Sequence, residues 1–424
     1  MTEPYGRYVL LTSRFTPFRV YIIFTALTAL SFTLYATLSS VYRVETALLG
    51  PLQLILIGSA LELTVFLFEI PTGIVADLYS RRRSVIIGMV LFGAGFILEG
   101  ALPIFTTMLL AQVLWGLGVT FESGAIDAWV SDEMGADKAG DAFLRSSQVA
   151  QVVSFVGIGG AVLLGNRYLG LPMIMGGAGF LLAALFLILF MSENNFSVNP
   201  DADHNSFKAM RSTFQAGLEV ANRKPIILTI FAISAILGAS SEAFDRLSTA
   251  HFIRDIGLPS LFTPAIWFGI ISAGTSLLSI VVTEIVRRRV DTNAHIAVAR
   301  ALFGINALLS VCVIAFGLVG NFIAALAFYG AARMLRIVNG PLYRAWLNQS
   351  LESQTRATVF SMNGQMDALG QIAGGPLLGL LARGFGMPIT LVVAGFLLLP
   401  ASYLYSRTLR GGLTKDSPPA VEGD

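Results

Sequence analysis

The sequence has little charge. Of its 424 residues, 13% are Asp, Glu, Lys or Arg, against about 25% in a soluble domain. A soluble chain of this length needs extensive water-facing surface, and so few charges do not cover it. That excludes a soluble enzyme, a nucleic-acid binder and a disordered chain. Cysteine is scarcer still. Cys312 stands alone, so no disulfide forms within the chain and no cysteine-rich metal site exists. Histidine is nearly absent. His204, His251 and His295 lie in polar stretches, so no membrane-buried histidine is expected and a proton carrier must be a carboxylate. No Gly-x-x-x-x-Gly-Lys-Ser/Thr run occurs, and the polar loops are too short for a nucleotide domain, which favours an ion gradient over ATP. No cofactor is called for.

What the sequence has in excess is apolar runs, at 55% hydrophobic residues. Stretches of about 20 residues suffice to cross some 30 Å of hydrocarbon. They are placed near 18–40, 51–72, 84–102, 105–130, 142–165 and 172–191, then near 225–247, 263–286, 295–318, 321–344, 360–382 and 388–406. These are spans 1 to 12 of an all-α membrane protein. Their continuity excludes a β-barrel, whose strands alternate apolar and polar. Span 1 follows Arg7, Arg14 and Arg19 like the basic start of a signal peptide. It is too long for one and leads into further spans, so it reads as a retained helix.

Positive charge orients the spans. Alternate connections hold 20 Lys and Arg, the opposite set holds 5 (Arg43, Arg167, Arg246, Arg254, Arg383), and Arg300, Arg333 and Arg336 fall inside spans. Both termini are therefore expected in the cytoplasm, with the protein in the inner (plasma) membrane. The polar stretch 192–224 divides an N-terminal bundle (1–191) from a C-terminal one (225–424). The halves echo each other: Ser123-Gly-Ala-Ile-Asp-Ala-Trp129 with Gly340-Pro-Leu-Tyr-Arg-Ala-Trp346, Gly159-Gly160 with Gly374-Gly375, and Arg81-Arg82-Arg83 with Arg287-Arg288-Arg289. Such order points to a duplication, as in many transporters.

After span 2 comes Gly73-Ile-Val-Ala-Asp77-Leu-Tyr-Ser-Arg81-Arg82-Arg83. With six plus six spans and a polar central loop, this resembles the major facilitator superfamily, whose loop 2–3 signature it partly matches. Gly73, Asp77, Arg81 and Arg82 fit; Leu78 replaces a basic residue and Ser80 a glycine. The resemblance implies two pseudo-symmetric six-helix bundles and a monomer. It also implies a gating loop: Gly73 permits close helix contact, Asp77 faces the N-terminus of span 11, and Arg81 pairs with an acid near the end of span 4, for which Asp127 is the candidate. Glu69, beside this loop, joins its network. A positive-inside stop signal explains the arginines equally, above all Arg82 and Arg83.

Charges inside spans are costly and mark functional candidates. Glu62 lies in span 2, Glu122 in span 4, Arg333 and Arg336 in span 10, and Asp367 in span 11. Asn363 and Gln371 flank Asp367 at i−4 and i+4, on one helix face; Ser147, Gln151 and Ser154 form a similar stripe in span 5. Glu99, Glu242 and Asp245 fall near span ends and are expected to be solvated. By resemblance, spans 1, 4, 7 and 10 line the central cavity, so Glu122 and Arg333 face the substrate path, with Tyr35 and Trp115 as aromatic wall. Small residues in Gly157-Ile-Gly-Gly160 and Gly370-Gln-Ile-Ala-Gly-Gly375 allow close helix contact. The drug-exporting branch carries Gly-Pro ahead of the glycine pair in span 5; here the proline is missing.

The expected function is secondary active transport by alternating access: proton-coupled export of small apolar or amphipathic compounds, with Glu62, Glu122 and Asp367 as carriers. Its partners are the substrate, protons and the lipid bilayer. A proton symporter importing a polar or anionic solute on Arg333 and Arg336, a lipid or lysolipid translocator, and a sensor without net transport are the alternatives. A static ion pair between a buried acid and Arg333 or Arg336 is the plain structural reading of these charges.

Overall fold

The computed structural model describes residues 15–196, 215, 225–289, 294–349, 351 and 356–410. Most of the 192–224 linker, Arg7, Arg14 and His204 lie outside them. The described chain is helical. In order come α1 (Pro17–Glu45), α2 (Pro51–Leu78), α3 (Arg81–Ala101), α4 (Phe105–Glu122), α5 (Ala125–Met134), α6 (Ala136–Gly165), α7 (Leu171–Phe190), α8 (Pro225–His251), α9 (Pro264–Arg289), α10 (His295–Leu318), α11 (Phe322–Gln349), α12 (Arg356–Phe385) and α13 (Met387–Arg410). A π turn, Phe252–Ile256, extends α8. Counting α4 and α5 as one broken helix gives twelve long helices among the described residues. Eleven of these are long and apolar enough to cross a membrane. The exception, α12, is diluted by glycines and by Asn363, Gln365, Asp367 and Gln371.

Local signals set the helix starts. Pro17 and Pro51 occupy first-turn positions, where a missing N–H costs nothing. Thr16 caps α1. Ser80 caps α3, its Oγ accepting from Arg83 N at 3.0 Å. In lipid the hydrophobic effect does not drive helices together, so close packing of small residues must. Glycines supply it. A Cβ on Gly157 of α6 would stand 2.8 Å from Thr33 Cβ of α1, and one on Gly374 of α12 would stand 2.6 Å from Ala239 Cβ of α8. Likewise Gly177 of α7 lies against the Gly93 carbonyl of α3, and Gly317 of α10 against the Pro388 carbonyl of α13.

Two compact units divide the described residues. The first holds α1–α7 and α9 through Gly274; the second holds α8, the rest of α9 and α10–α13. In the first, α1 packs on α6 and α7, and α3 on α4 and α7; in the second, α8 packs on α12 and α13, and α10 on α11 and α13. Because α1 and α8 begin corresponding halves, the partners match one for one, and the halves are pseudo-symmetric. The echoed tryptophans behave alike: Trp129 and Trp346 are both fully buried.

Candidate functional site

In the first unit the candidate residues gather around a helix break. Span 4, expected as one helix, stops at Glu122 and restarts at Ala125 through Gly124, whose φ of 72° is left-handed and suits glycine. A break frees carbonyls that lipid cannot satisfy. Neighbouring hydroxyls take them: Thr72 Oγ1 of α2 donates to Thr120 O at 2.8 Å, and Ser84 Oγ of α3 donates to Phe121 O at 2.6 Å. Glu122 is half-buried on the last turn, and the backbone of Gly88 lies against it. Among the described residues no basic side chain pairs with Glu122. Two turns earlier Trp115, half-buried, meets Phe96 and Tyr35 edge-on at 5.4 Å and Phe32 at 6.0 Å. Glu62 is half-buried in α2, and Glu69 is exposed.

The break also redirects the gating contact. Arg81, first residue of α3, pairs with Asp132 of α5, not with Asp127, which is exposed. Restarting the helix at Ala125 puts Asp132 five residues further along, level with the start of α3. The expected close contact at Gly73 is not made either, for no described residue comes within 4 Å of a Cβ built there. Asp77 is exposed on the last turn of α2. A strap missed in the sequence holds this end together. Glu193, just after α7, accepts from Ser80 Oγ at 2.6 Å and from Arg82 N at 3.0 Å, a carboxylate on a helix N-terminus. Trp129 Nε1 donates to Ser192 O, and Glu133 accepts from the amides of Asn194 and Asn195. Arg82 itself donates to Ile188 O at 2.6 Å. The sequence signal was there in the acids 132, 133 and 193 beside a basic run, but loop partners cannot be paired from spacing.

Tyr35 and Glu99 depart from expectation together. Tyr35 is 1% exposed and Glu99 0%, so neither the cavity-wall reading of the first nor the solvated reading of the second holds. Arg43 Nε donates to Glu99 Oε1 at 2.7 Å and its Nη2 to Tyr35 Oη at 2.7 Å; Tyr35 Oη donates to Glu99 Oε2 at 2.8 Å; Gln112 Nε2 donates to the same oxygen at 2.9 Å. A buried ion must be paired and hydrogen-bonded, and this network, drawn from α1, α3 and α4, does both.

In the second unit Asp245 of α8 is exposed, as expected, and is gripped by Arg336 of α11 through two parallel bonds of 2.5 and 2.7 Å. The guanidinium also stands over the Phe244 ring at 5.4 Å. Glu242, likewise expected to be solvated, is 1% exposed and lies 3.5 Å from Arg246. A helix end places a residue near water, but Arg246, one turn on, draws Glu242 inward. Arg333, one turn from Arg336, keeps a buried Nε without a hydrogen-bond partner among the described residues. On α12, Gln371 Nε2 donates to Asp367 Oδ2 at 2.8 Å, as the stripe predicts, whereas Asn363 Oδ1 accepts from Tyr343 Oη at 2.8 Å. Asp367 forms no direct pair with either arginine among the described residues.

The two units therefore carry distinct charge sets: a carboxylate without a basic partner at a satisfied helix break in the first, and two arginines with two acids in the second. Comparison with known proteins bears on the family and the fold. Residues 20–340 match the model of the Major Facilitator Superfamily. The chain is similar to an uncharacterized MFS-type transporter, YxaM, of Bacillus subtilis (strain 168), 24% identical over 362 residues, 82% of this chain and 86% of that protein. Its fold is similar to that of the nucleoside transporter NupG (TM-score 0.72, 12% identity, 93% of this chain and 100% of that one). It is also similar to a bacterial homologue of the human lysosomal transporter Spinster (TM-score 0.72, 16% identity, 99% and 100%).

Proposed function

The chain belongs to the major facilitator superfamily, and from that premise we propose that it exports small apolar or amphipathic compounds in exchange for protons. As a multi-pass membrane transporter of this family it moves a small molecule; the direction, the ion and the substrate class are the substance of the proposal. The observation that carries it is Glu122, half-buried within a span and without a basic partner among the described residues. An ionised carboxylate there faces low dielectric alone, and a proton removes its charge. A group held in that way takes up and releases a proton as its surroundings change. Glu62 and Asp367 are the further carrier candidates.

The aromatic wall supports the substrate class. Phe32 is 42% exposed and Trp115 half-buried in the same cluster as Phe96, a surface for apolar ligands with few directional contacts. In the second unit Arg336 is already neutralised by Asp245, which leaves little positive surplus to attract an anion. The excess of Lys and Arg in alternate connections supports a cytoplasmic placement of both termini. The test is transport in proteoliposomes with an imposed pH gradient, across a panel of amphipathic and polar compounds. Amphipathic compounds should move against the proton gradient. Transport indifferent to the gradient for every compound overturns the proposal.

A second reading, a symporter for a polar or anionic solute, rests on Arg333, whose Nε is buried without a hydrogen-bond partner among the described residues. Arg333→Ala should leave binding of amphipathic compounds intact under the first reading, and abolish solute binding under the second.

A further inference from the structure

The end of α8 holds a histidine that the transport reading does not use. His251, expected to stand in a polar stretch, is 2% exposed. Its ring meets Phe316 of α10 edge-on at 5.0 Å, and behind it Phe252 and Tyr329 close the apolar surroundings. Both ring nitrogens are engaged. Nε2 lies 3.1 Å from the carbonyl oxygen of Phe316, and Nδ1 lies 2.8 Å from Oδ2 of Asp255.

The two partners decide where the protons are. A backbone carbonyl only accepts, so Nε2 must carry its hydrogen. A neutral imidazole has one N–H, which leaves Nδ1 a bare lone pair facing a carboxylate oxygen, two acceptors at 2.8 Å. That contact holds only with one more proton between them, either on the ring as imidazolium or on the Asp255 carboxyl. We propose that His251 and Asp255 form a proton-binding site, and that the bound proton latches the π turn Phe252–Ile256 onto the end of α8.

The surroundings suit a latch. A π turn departs from the α-helical ladder and recurs at functional sites; here it ends at Gly257, whose φ is 80°. The His251 side chain is buried, while that of Asp255 is 32% exposed, so it can swing to water once the proton leaves. Arg254 of the same turn is exposed, Glu242 and Arg246 lie opposite each other more than a turn back on α8, and α10 brings Cys312, one turn from Phe316. Tyr329 of α11 meets the Phe252 and Phe316 rings, Arg383 at the end of α12 is exposed, and the first three turns of α13 carry no ionisable side chain. The sign follows: the latch holds at low pH and opens as pH rises past the pair's midpoint.

The proposal does not rest on proton-coupled transport, and its test does not use transport. The full-length protein, labelled with 15N-histidine in lipid nanodiscs, is titrated from acid to alkaline pH by NMR. His204→Gln and His295→Gln identify the other two histidine signals, so no variant of the site is needed for assignment. At acid pH the His251 Nδ1 signal should report a protonated ring nitrogen, and it should change as the shared proton leaves. Asp255→Asn, which offers Nδ1 an uncharged partner, should move that change. Backbone amide exchange over 252–257, corrected for the intrinsic pH effect, should accelerate at least about tenfold on passing the midpoint, as expected for local opening. An Nδ1 signal whose change Asp255→Asn leaves unmoved overturns the site. Exchange that does not change across the midpoint overturns the latch.

Discussion

At the scale of single residues, the most consequential side chains are those that the membrane forces to find partners. Arg43 and Glu99 sit where helix ends meet the interface, yet both are buried and share four hydrogen bonds with Tyr35 and Gln112. Removing one partner leaves the other charged and dry, a loss of about 3–5 kcal/mol. Glu99→Gln should therefore lower the thermal unfolding midpoint in detergent by many degrees, whereas Arg43→Met combined with Glu99→Leu should recover most of the loss. A double variant no better than the single one would show that the network holds more than the charge pair. The same residues mark a limit of the sequence. Position along a span tells how near water a side chain starts, but not whether a cation on the next turn or the next helix draws it inward. Glu242 was hidden for that reason, by Arg246, and His251 was hidden because a carbonyl of α10 engages its ring. Glu122 and the Asp367–Gln371 stripe were legible because charge in mid-span and i, i+4 spacing are properties of one helix.

At the scale of elements, glycines decide which helices touch. Gly374→Leu should disrupt the packing of α12 on α8, since even a Cβ there comes within 2.6 Å of Ala239. Overpacking of this kind costs about 1–3 kcal/mol. Gly159→Ala, with no described neighbour within 4 Å, should leave the unfolding midpoint and expression unchanged. Equal loss in both would indicate a general intolerance of side chains and not a packing contact. The helix break at Ser123–Gly124 makes a second element-scale claim. Because α5 restarts beyond it, Asp132 and not Asp127 answers Arg81. Asp132→Asn should cost about 1 kcal/mol, a partly exposed pair, and Asp127→Asn nothing measurable. Exchanging the charges, Arg81→Asp with Asp132→Arg, should restore the thermal midpoint lost in either single variant. The pairing was unreadable from sequence because span 4 looks continuous; only the left-handed Gly124 hints at the interruption, and a lone glycine in an apolar run is a weak signal.

At the scale of the whole molecule, the spans and the duplicated halves were legible almost throughout. Long apolar runs leave the backbone no choice but helix, and small residues at Gly157 and Gly160 of α6 and at Gly374 of α12 accompany the repeated packing of α1 on α6 and of α8 on α12. What the sequence could not set out was chemistry that arises between helices, in which the partners are remote in the chain. Under the proposed function, Glu122 couples substrate movement to protons. Proteoliposomes containing Glu122→Gln test it most directly, by comparing transport driven by a pH gradient with substrate exchange at equal pH. Gradient-driven transport should fall at least about a hundredfold, the scale of a lost essential proton step, while exchange persists, because the neutral amide mimics the protonated carrier. Gradient-driven transport that survives at the wild-type rate would contradict it.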